Sequence, residues 1–509
     1  MKSKLLLQIS ISFLLIHLIS SNLFANYYDQ GCRYYSYKKY DKAKEMFLKH
    51  IEIVEDGNSY YFLGEMEKIE GNFDKAQEYY KSAVSKPMIG KYKKLAYWNL
   101  IVIEEQKGRY NEMTIFCREL WDHMSDDGAK KKVEGLINKF LWTENDEAKS
   151  YFYNGIDFKK KNSQEKSKEA FYNALRTDSA FLAAKFEIGL LFLNENNFSQ
   201  AINYFNDIIS KIPFYGEVHL LLGDIYFNKQ SYRNSIEHFT NAMEYGFLNS
   251  KTKYSVLLKL GTSYYETGNM EKAQEIFLLA ADTNKKAVEP LLLLSAIYIK
   301  KNNFDHAIPI LLKAKELNQN NTEIIFQIGS LYYKLNDSKY VQYFNQLLDK
   351  SISSKESIPQ KYYKAFILLL KNNYEHKKYQ DTQKIIEMLP DNQKNYEINL
   401  ISAKTYYFLG KHEKAIENFE KLSLGNDDKY LLCISYVKVG MTSKAKEVLW
   451  NLSSINDYLE KAKSDILLKK IAYEVENEKQ KKEEAKRNIV IEEKRTLKTE
   501  ENKSVPENK

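Results

Sequence analysis

Small residues recur along the chain at a spacing of 34 or 38 residues, and this period restricts the fold more than any other feature. They are Gly189, Gly223, Gly261, Ser295 and Gly329. A second small residue follows twelve positions later at Ala201, Ser235, Ala273 and Ala307, and a large apolar residue four positions after that at Phe205, Phe239, Phe277 and Leu311. These offsets follow the period of an α-helix. One such unit cannot bury its apolar faces alone, so neighbouring units must share a continuous core.

The pattern resembles the tetratricopeptide repeat, a 34-residue pair of antiparallel helices. Residues 254–287 carry the family's residue types at Leu257, Leu260, Gly261, Tyr264, Ala273, Phe277 and Ala280. Residues 182–215 add Pro213 near the end of the unit. Extending the same register in both directions gives about twelve units. The resemblance implies an all-α fold, a right-handed α-solenoid of antiparallel helix pairs.

Two interruptions of the period divide the chain. Ile101 and Gly155 occupy equivalent positions but are 54 residues apart, and a serine-rich stretch that ends at Pro359 separates two later units. We expect a signal peptide at 1–25, about three repeats at 26–127, an inserted helix at 128–147, about six repeats at 148–350, a linker at 351–359, about three repeats at 360–459, a capping helix at 460–475 and a charged disordered tail at 476–509. A smooth superhelix with two decorated loops is the alternative.

The first 25 residues have the parts of a secretory signal. Two lysines precede an apolar run from Leu5 to Ile19, and Ala25 offers a small residue before a cleavage point. We therefore expect an exported protein that is periplasmic or associated with the cell envelope. An uncleaved N-terminal membrane anchor is the alternative. Lipid attachment at Cys32 is disfavoured, because this cysteine lies well beyond the apolar run.

The composition and motifs give no sign of catalysis. The chain has 76 basic and 68 acidic residues, and they are interspersed, unlike the concentrated basic patch of a nucleic-acid-binding protein. Its three cysteines are far apart and match neither a disulfide framework nor a zinc motif. Phosphate-loop, dinucleotide, zinc-protease and hydrolase motifs are also missing from the sequence. We expect no enzyme activity, catalytic residues, cofactor, metal, small-molecule substrate or nucleic-acid partner.

The resemblance implies that the first helix of each unit lines a concave face, with repeat positions 2, 5, 9 and 12 pointing into it. Positions 5 and 12 carry mainly aromatic and aliphatic residues here. The candidate partner-binding residues are Phe186, Phe227, Tyr265, Phe326, Tyr333, Tyr374 and Tyr407. Packing against neighbouring helices is the favoured interpretation of this stripe. The alternative is a groove for an apolar segment or an amphipathic helix.

The sequence therefore predicts a non-catalytic scaffold or adaptor of the cell envelope that binds protein or peptide partners. Peripheral association with a membrane or the envelope is a further expectation. A chaperone-like holdase for envelope proteins and a regulatory subunit of an enzyme complex are the alternatives. The chaperone-tail clamp of some family members is disfavoured, because Tyr28 and Cys32 stand where that clamp uses lysine and asparagine.

Overall fold

The computed structural model describes residues 27–354, 359–452 and 456–501, and these segments are helical with short turns. The signal peptide expected at 1–25 lies outside the described residues. The expected all-α solenoid fold is confirmed in this part of the chain. The described residues form two compact units, which divide after Ile297.

The first unit contains the helices up to the start of α16. They are α1 (27–36), α2 (Tyr40–Ile51), α3 (Gly57–Ile69), α4 (Phe73–Val84), α5 (Gly90–Gln106), α6 (Tyr110–Met124), α7 (Asp127–Leu141), α8 (Asp146–Lys160), α9 (Gln164–Thr177), α10 (Leu182–Asn194), α11 (Phe198–Ile209), α12 (Gly216–Asn228), α13 (Tyr232–Tyr245), α14 (Ser250–Glu266), α15 (Met270–Thr283) and α16 (Glu289–Lys300).

The second unit continues from the end of α16. Its further helices are α17 (Phe304–Leu317), α18 (Thr322–Lys334), α19 (Lys339–Ser354), α20 (Tyr363–Glu375), α21 (Tyr379–Met388), α22 (Tyr396–Phe408), α23 (His412–Phe419), α24 (Asn426–Lys438), α25 (Thr442–Leu452), α26 (Asn456–Ser464) and α27 (Lys469–Glu501). In sequence order, the helices up to α25 make twelve pairs, and α7 stands alone between the third and the fourth.

The small residues of the repeat lie at close helix contacts. A Cβ added at Gly223 would lie 2.6 Å from Cδ1 of Phe239, and one added at Gly189 would lie 2.6 Å from Cε1 of Phe205. The close approach of the two helices of such a unit therefore depends on a glycine against an aromatic ring. Ala273 is fully buried in the second helix of its pair. This confirms the expectation that small side chains occupy the helix crossings.

The turn inside each pair has a recurring local chemistry. The residue after the first helix takes a left-handed conformation, as Asn196 and Gly268 do with φ of 57° and 84°. The asparagine that follows caps the second helix: the side chain of Asn197 accepts from the amide of Gln200, as Asn269 does from that of Lys272. The Asn-Asn and Gly-Asn pairs in the sequence therefore end one helix and begin the next.

Helix α7 occupies the position of the helix expected at 128–147. The Asp126 side chain caps it by accepting from the Ala129 amide at 3.1 Å. Ala129 and Val133 are buried in the core of the first repeats. At its other end, the Trp142 ring lies edge-on to that of Phe152, with centroids 5.3 Å apart. The helix therefore joins two blocks of repeats.

The C-terminal segment differs from the expected short cap and disordered tail. Helix α26 ends at Ser464, and α27 then continues from Lys469 to Glu501, well beyond residue 475. Ile471 and Val475 are buried and cover the last repeat. An ion pair between Lys446 and Glu478 at 2.6 Å holds the helix against α25 past that cap. Residues 502–509 lie outside the described residues.

The linker expected at 351–359 is shorter in the structure. Helix α19 continues through 351–354, and a 3-10 turn at Gln360–Tyr362 leads directly into α20. Residues 355–358 lie outside the described part of the chain. Buried Tyr362 belongs to the core of the second unit, so the chain enters the next repeat immediately after Pro359.

Candidate partner-binding surfaces

The first helix of each repeat has one accessible side. In α10, Ile188 and Gly189 at repeat positions 7 and 8 are buried, whereas Phe186, Leu190 and Leu193 at positions 5, 9 and 12 are half-buried. Offsets of four and three residues place the last three side chains on one face of the helix. This face is the accessible stripe of the repeat.

The same stripe recurs in both units. In the first unit it includes Leu220, Asp224 and Phe227 of α12 and Leu258, Thr262 and Tyr265 of α14; in the second it includes Phe326, Ser330 and Tyr333 of α18, Ile367, Lys371 and Tyr374 of α20, and Leu400, Lys404 and Tyr407 of α22. All are half-buried except Tyr333, which is 40% exposed. The charge at position 9 therefore varies from helix to helix, whereas positions 5 and 12 are aromatic or aliphatic in all of them.

Each candidate aromatic in the first unit also packs within its own surroundings. The ring of Phe186 stacks on that of Tyr215 at a centroid distance of 5.8 Å and lies 6.1 Å from that of Phe205. Phe227 lies 6.4 Å from Phe239. Tyr265 is half-buried on α14. These side chains thus contribute one surface to the core and another to the stripe.

The candidate residues of the second unit have the same double role. Phe326 lies 5.0 Å from Tyr362, and Tyr333 meets Tyr340 edge-on at 5.3 Å. Burial raises the pKa of the hydroxyls of Tyr374 and Tyr407 above its ordinary value. These two tyrosines are consequently neutral at physiological pH and act as hydrogen-bonding apolar surfaces.

Ion pairs join neighbouring first helices along the stripe. Lys371 of α20 lies 2.6 Å from Glu397 of α22, and Lys404 lies 2.7 Å from Asp428 of α24. In the first unit, Lys259 of α14 lies 2.7 Å from Asp224 of α12. Exposed pairs of this type add little stability, but they set the charge pattern that a bound segment would meet.

A polar cluster on the second and third repeats was not predicted from the sequence. The carboxylate of Glu65 accepts hydrogen bonds from the Tyr80 hydroxyl and the Asn99 side-chain amide, both at 2.6 Å. Lys68 donates to the Asn99 oxygen at 2.8 Å. The ring of Tyr92 stacks on that of Tyr61 with centroids 5.1 Å apart. Glu65 and Asn99 are 34 residues apart, so the repeat spacing itself was the available signal.

Helix α6 also packs against a distant part of the first unit. The Arg118 side chain donates to the backbone oxygen of Glu244 at 3.0 Å. The rings of Trp121 and Phe247 meet edge-on with centroids 5.6 Å apart. Lys253 reaches Asp122 at 3.5 Å. These contacts join the third repeat to the turn between α13 and α14.

This arrangement leaves a cleft of about 330 Å³ between α7, the start of α12 and the α13–α14 turn. We call it the α7 cleft. It is lined by Lys130, Val133, Glu134, Ile137, Tyr215, Gly216, Glu217, Leu220, Tyr245, Gly246, Phe247, Leu248, Asn249 and Thr252. Glu217 is an exposed residue in the first turn of α12, and partial desolvation by the lining of the cleft raises the pKa of its carboxyl above the ordinary value, although the neighbouring Tyr215 side chain opposes the rise.

A buried histidine pair lies behind this cleft. His219 of α12 and His238 of α13 have their Nδ1 atoms 3.1 Å apart, and His219 Nε2 lies 2.8 Å from the backbone oxygen of Pro213. With both rings neutral, His219 Nε2 donates to Pro213 and its Nδ1 accepts from His238. Burial lowers the pKa of His238 to about 4, so the pair is neutral at physiological pH.

Neither metal nor membrane features stand out in the described segments. No group of three or more histidine, cysteine or carboxylate side chains there has an arrangement that could hold a metal ion. Burial raises the pKa of the thiols of Cys117 and Cys433 to about 12, so neither is a reactive thiolate. Among the described helices, none combines the length and the apolar character needed to cross a membrane.

Comparison with known families identifies the repeat. The tetratricopeptide repeat family model matches residues 57–85, 288–321 and 396–423, and a second model of the same repeat matches 255–281. The chain therefore contains tetratricopeptide repeats at these positions. A protein of this family is in general a scaffold for protein–protein interaction. No curated protein matches the chain significantly in sequence.

Solved structures show partial similarity. YrrB, described as a TPR protein with an unusual peptide-binding site, is 18% identical; the match covers 36% of this chain and 93% of YrrB, with a TM-score of 0.31. MamA from Desulfovibrio magneticus RS-1 is 16% identical, with 35% and 99% covered and a TM-score of 0.30. Pseudomonas aeruginosa pilF is 16% identical, with 42% and 94% covered and a TM-score of 0.29.

Proposed function

We propose that the protein is a non-catalytic scaffold of the cell envelope, which binds segments of partner proteins along the accessible stripes of its first helices. The observation that carries this proposal is the stripe itself: in α12, α14, α18, α20 and α22, positions 5 and 12 are aromatic or aliphatic, yet they are half-buried or, at Tyr333, exposed. A side chain of this kind exposes apolar surface to a partner. Because its core contacts already hold it in place, it loses little further conformational entropy when the partner binds.

The charges between these apolar residues support a choice among partners. Position 9 is Asp224 in α12 but Lys371 and Lys404 in α20 and α22, and each is held by an ion pair on a neighbouring helix. Apolar anchors supply binding free energy, and charges of differing sign along the surface favour one register of the bound segment. Selective adaptors need both properties.

The cell-envelope location rests on the N-terminal residues, which combine two lysines, an apolar run and Ala25. N-terminal sequencing of the protein from its own cells tests this part of the proposal. A first residue of Asn26 in an envelope fraction supports export. A retained Met1 in the cytoplasmic fraction contradicts it.

Binding is tested with the purified full chain and an array of synthetic peptides that includes apolar and amphipathic sequences. We expect a subset of peptides to bind, and the variants Tyr333→Ser and Tyr374→Ser to weaken that binding while helix content and thermal unfolding stay close to those of the unchanged chain. Tyr333 is the better probe of the two, because 40% of its surface is exposed.

Tyr473→Ser provides a matched control. This tyrosine is 48% exposed on α27, away from the stripe of the repeats. Equal loss of binding in the control and in Tyr333→Ser would contradict the assigned surface. Failure of the unchanged chain to bind any peptide would contradict the proposed function.

A further inference from the structure

The α7 cleft exists because the repeat is interrupted. Its walls come from α7, which belongs to no helix pair, and from the ends of α12–α14 nearby. The contacts of Arg118 with Glu244 and of Trp121 with Phe247 hold α6, which packs on α7, against the α13–α14 turn. The cleft is therefore a feature of this chain's insertion and is distinct from the accessible stripes.

The walls of the cleft combine apolar and polar groups in nearly equal measure. Val133 of α7 is almost fully buried beneath it, and Ile137 and Leu220 line it from opposite sides. Phe247 and Leu248 contribute from the α13–α14 turn. A cleft of about 330 Å³ is at the small end of the range of ligand pockets and suits a side chain with its flanking residues.

Glu217, in the first turn of α12, gives the cleft a carboxylate without an ion-pair partner among the lysines and arginines of the described residues. Lys130, which also lines the cleft, lies 3.7 Å from Glu134, and the nearby carboxylate of Glu187 is paired with Lys159. Partial desolvation disfavours the negative charge of the exposed Glu217 carboxyl, and repulsion from Glu187 adds to this effect. A positive charge brought into the cleft would relieve both effects.

We infer that the α7 cleft binds a lysine or arginine side chain on a segment of a partner protein. The aliphatic part of such a side chain matches the walls of Ile137 and Leu220, and its cationic end reaches the Glu217 carboxylate. The Tyr215 side chain lines the cleft next to that carboxylate. This inference rests on the proposed function, because it specifies one residue type that the bound segment must carry.

The test uses the same full chain with an array of random synthetic peptides. We expect lysine and arginine, next to apolar residues, to be enriched among the bound peptides. Glu217→Gln is expected to weaken the best basic peptides about tenfold, because it removes a charged hydrogen-bond acceptor and keeps the side-chain shape. Glu217→Lys is expected to abolish the basic preference and to favour acidic peptides instead.

Glu165→Gln is the matched control, since Glu165 is an exposed glutamate of α9 that does not line the cleft. Thermal unfolding of each variant shows whether a loss of binding reflects a loss of fold. Glu217→Lys is expected to reverse the preference from basic to acidic peptides. Unfolding of the variant would abolish binding and could not produce this reversal.

The outcomes separate this inference from the proposed function. Peptides that bind without any basic enrichment, or a basic enrichment unchanged in Glu217→Gln, overturn the inference and leave the scaffold function standing. A chain that binds no peptide overturns both. Basic enrichment that disappears in Glu217→Gln but persists in Tyr333→Ser supports the cleft as a site separate from the stripe.

Discussion

Gly261 in α14 lies directly against the ring of Phe277 in α15, and a methyl group added at Gly261 would come within 2.5 Å of Cε1 of that ring. The same contact is found between Gly155 and Phe171 and between Gly329 and Phe344. Because the ring is fully buried, it has no free space into which it could move. The glycines thus recur in the sequence because the same packing contact recurs from repeat to repeat.

Gly261→Ala is accordingly expected to destabilise the first unit by about 1–3 kcal/mol, the usual cost of overfilling a packed core. The better helix propensity of alanine offsets only part of this cost. Thermal unfolding followed by circular dichroism measures the effect as a lower midpoint.

Gly135→Ala is the matched control for this prediction. Gly135 lies in the exposed part of α7, and an added methyl group would meet no atom within 4 Å. We expect this substitution to leave the unfolding midpoint unchanged or to raise it. A raised midpoint would correspond to a gain of about 0.5–1 kcal/mol in the free energy of unfolding. Equal changes of the midpoint in the two variants would show that the contact with the Phe277 ring does not restrict the size of the side chain at position 261.

The period made the paired helices and their core predictable from the sequence, because these contacts join residues 15 or 16 apart, as Gly329 with Phe344 and Gly261 with Phe277 show. Contacts of long sequence separation were not predictable. Arg118 and Glu244 are 126 residues apart, and no repeat rule relates them. The continuation of α27 past residue 475 was also missed, because its ion pair to Lys446 depends on how α25 packs.

The buried histidine pair predicts a dependence of stability on pH. The pKa of His238 is lowered from 6.5 to about 4 in the folded chain, because burial disfavours the charged ring. The unfolded chain therefore binds protons first, and the free energy of unfolding falls as pH decreases from 6.5 towards 4. A loss on the order of 2 kcal/mol is expected from this shift and is measured by urea unfolding at several pH values.

His238→Gln is expected to reduce that pH dependence, since glutamine remains neutral throughout the range. His123→Gln alters an exposed histidine of the same unit and should leave the dependence as it is. If the free energy of unfolding of both variants falls with decreasing pH as much as that of the unchanged chain, the histidine pair is not the source of the pH dependence.

The docking of α6 on the α13–α14 turn predicts a local effect of Phe247→Ala. Without the edge contact to Trp121, the turn at 245–249 loses an apolar attachment to the third repeat. We expect faster amide exchange there and in the first turn of α14, measured by hydrogen–deuterium exchange and mass spectrometry.

Phe73→Ala is a suitable comparison, because Phe73 is 45% exposed at the start of α4 and takes no part in this docking. Exchange at 245–249 that does not change in Phe247→Ala would mean that the other contacts, including Arg118 to Glu244, hold the turn without the ring.

The candidate site was only partly predictable. The resemblance to the repeat family implied positions 5 and 12, and in the structure Phe186 and Tyr333 lie on the accessible stripe. The sequence could not show that each ring is shared between the core and the surface, since exposure depends on how neighbouring helices pack. Glu217 could not be singled out from the sequence either. Its role in the cleft depends on where α7 lies relative to α12, and the repeat period does not determine this position.

Site-specific photo-crosslinking in the native cell tests the central claim most directly. A photoreactive phenylalanine would replace Tyr333 or Tyr374 on the stripe, and Tyr473 or Leu278 at exposed positions elsewhere. We expect a discrete partner to crosslink from both stripe positions and from neither of the others. Crosslinks to the same partner only from Tyr473 or Leu278, or equally from all four positions, would contradict binding along the first helices.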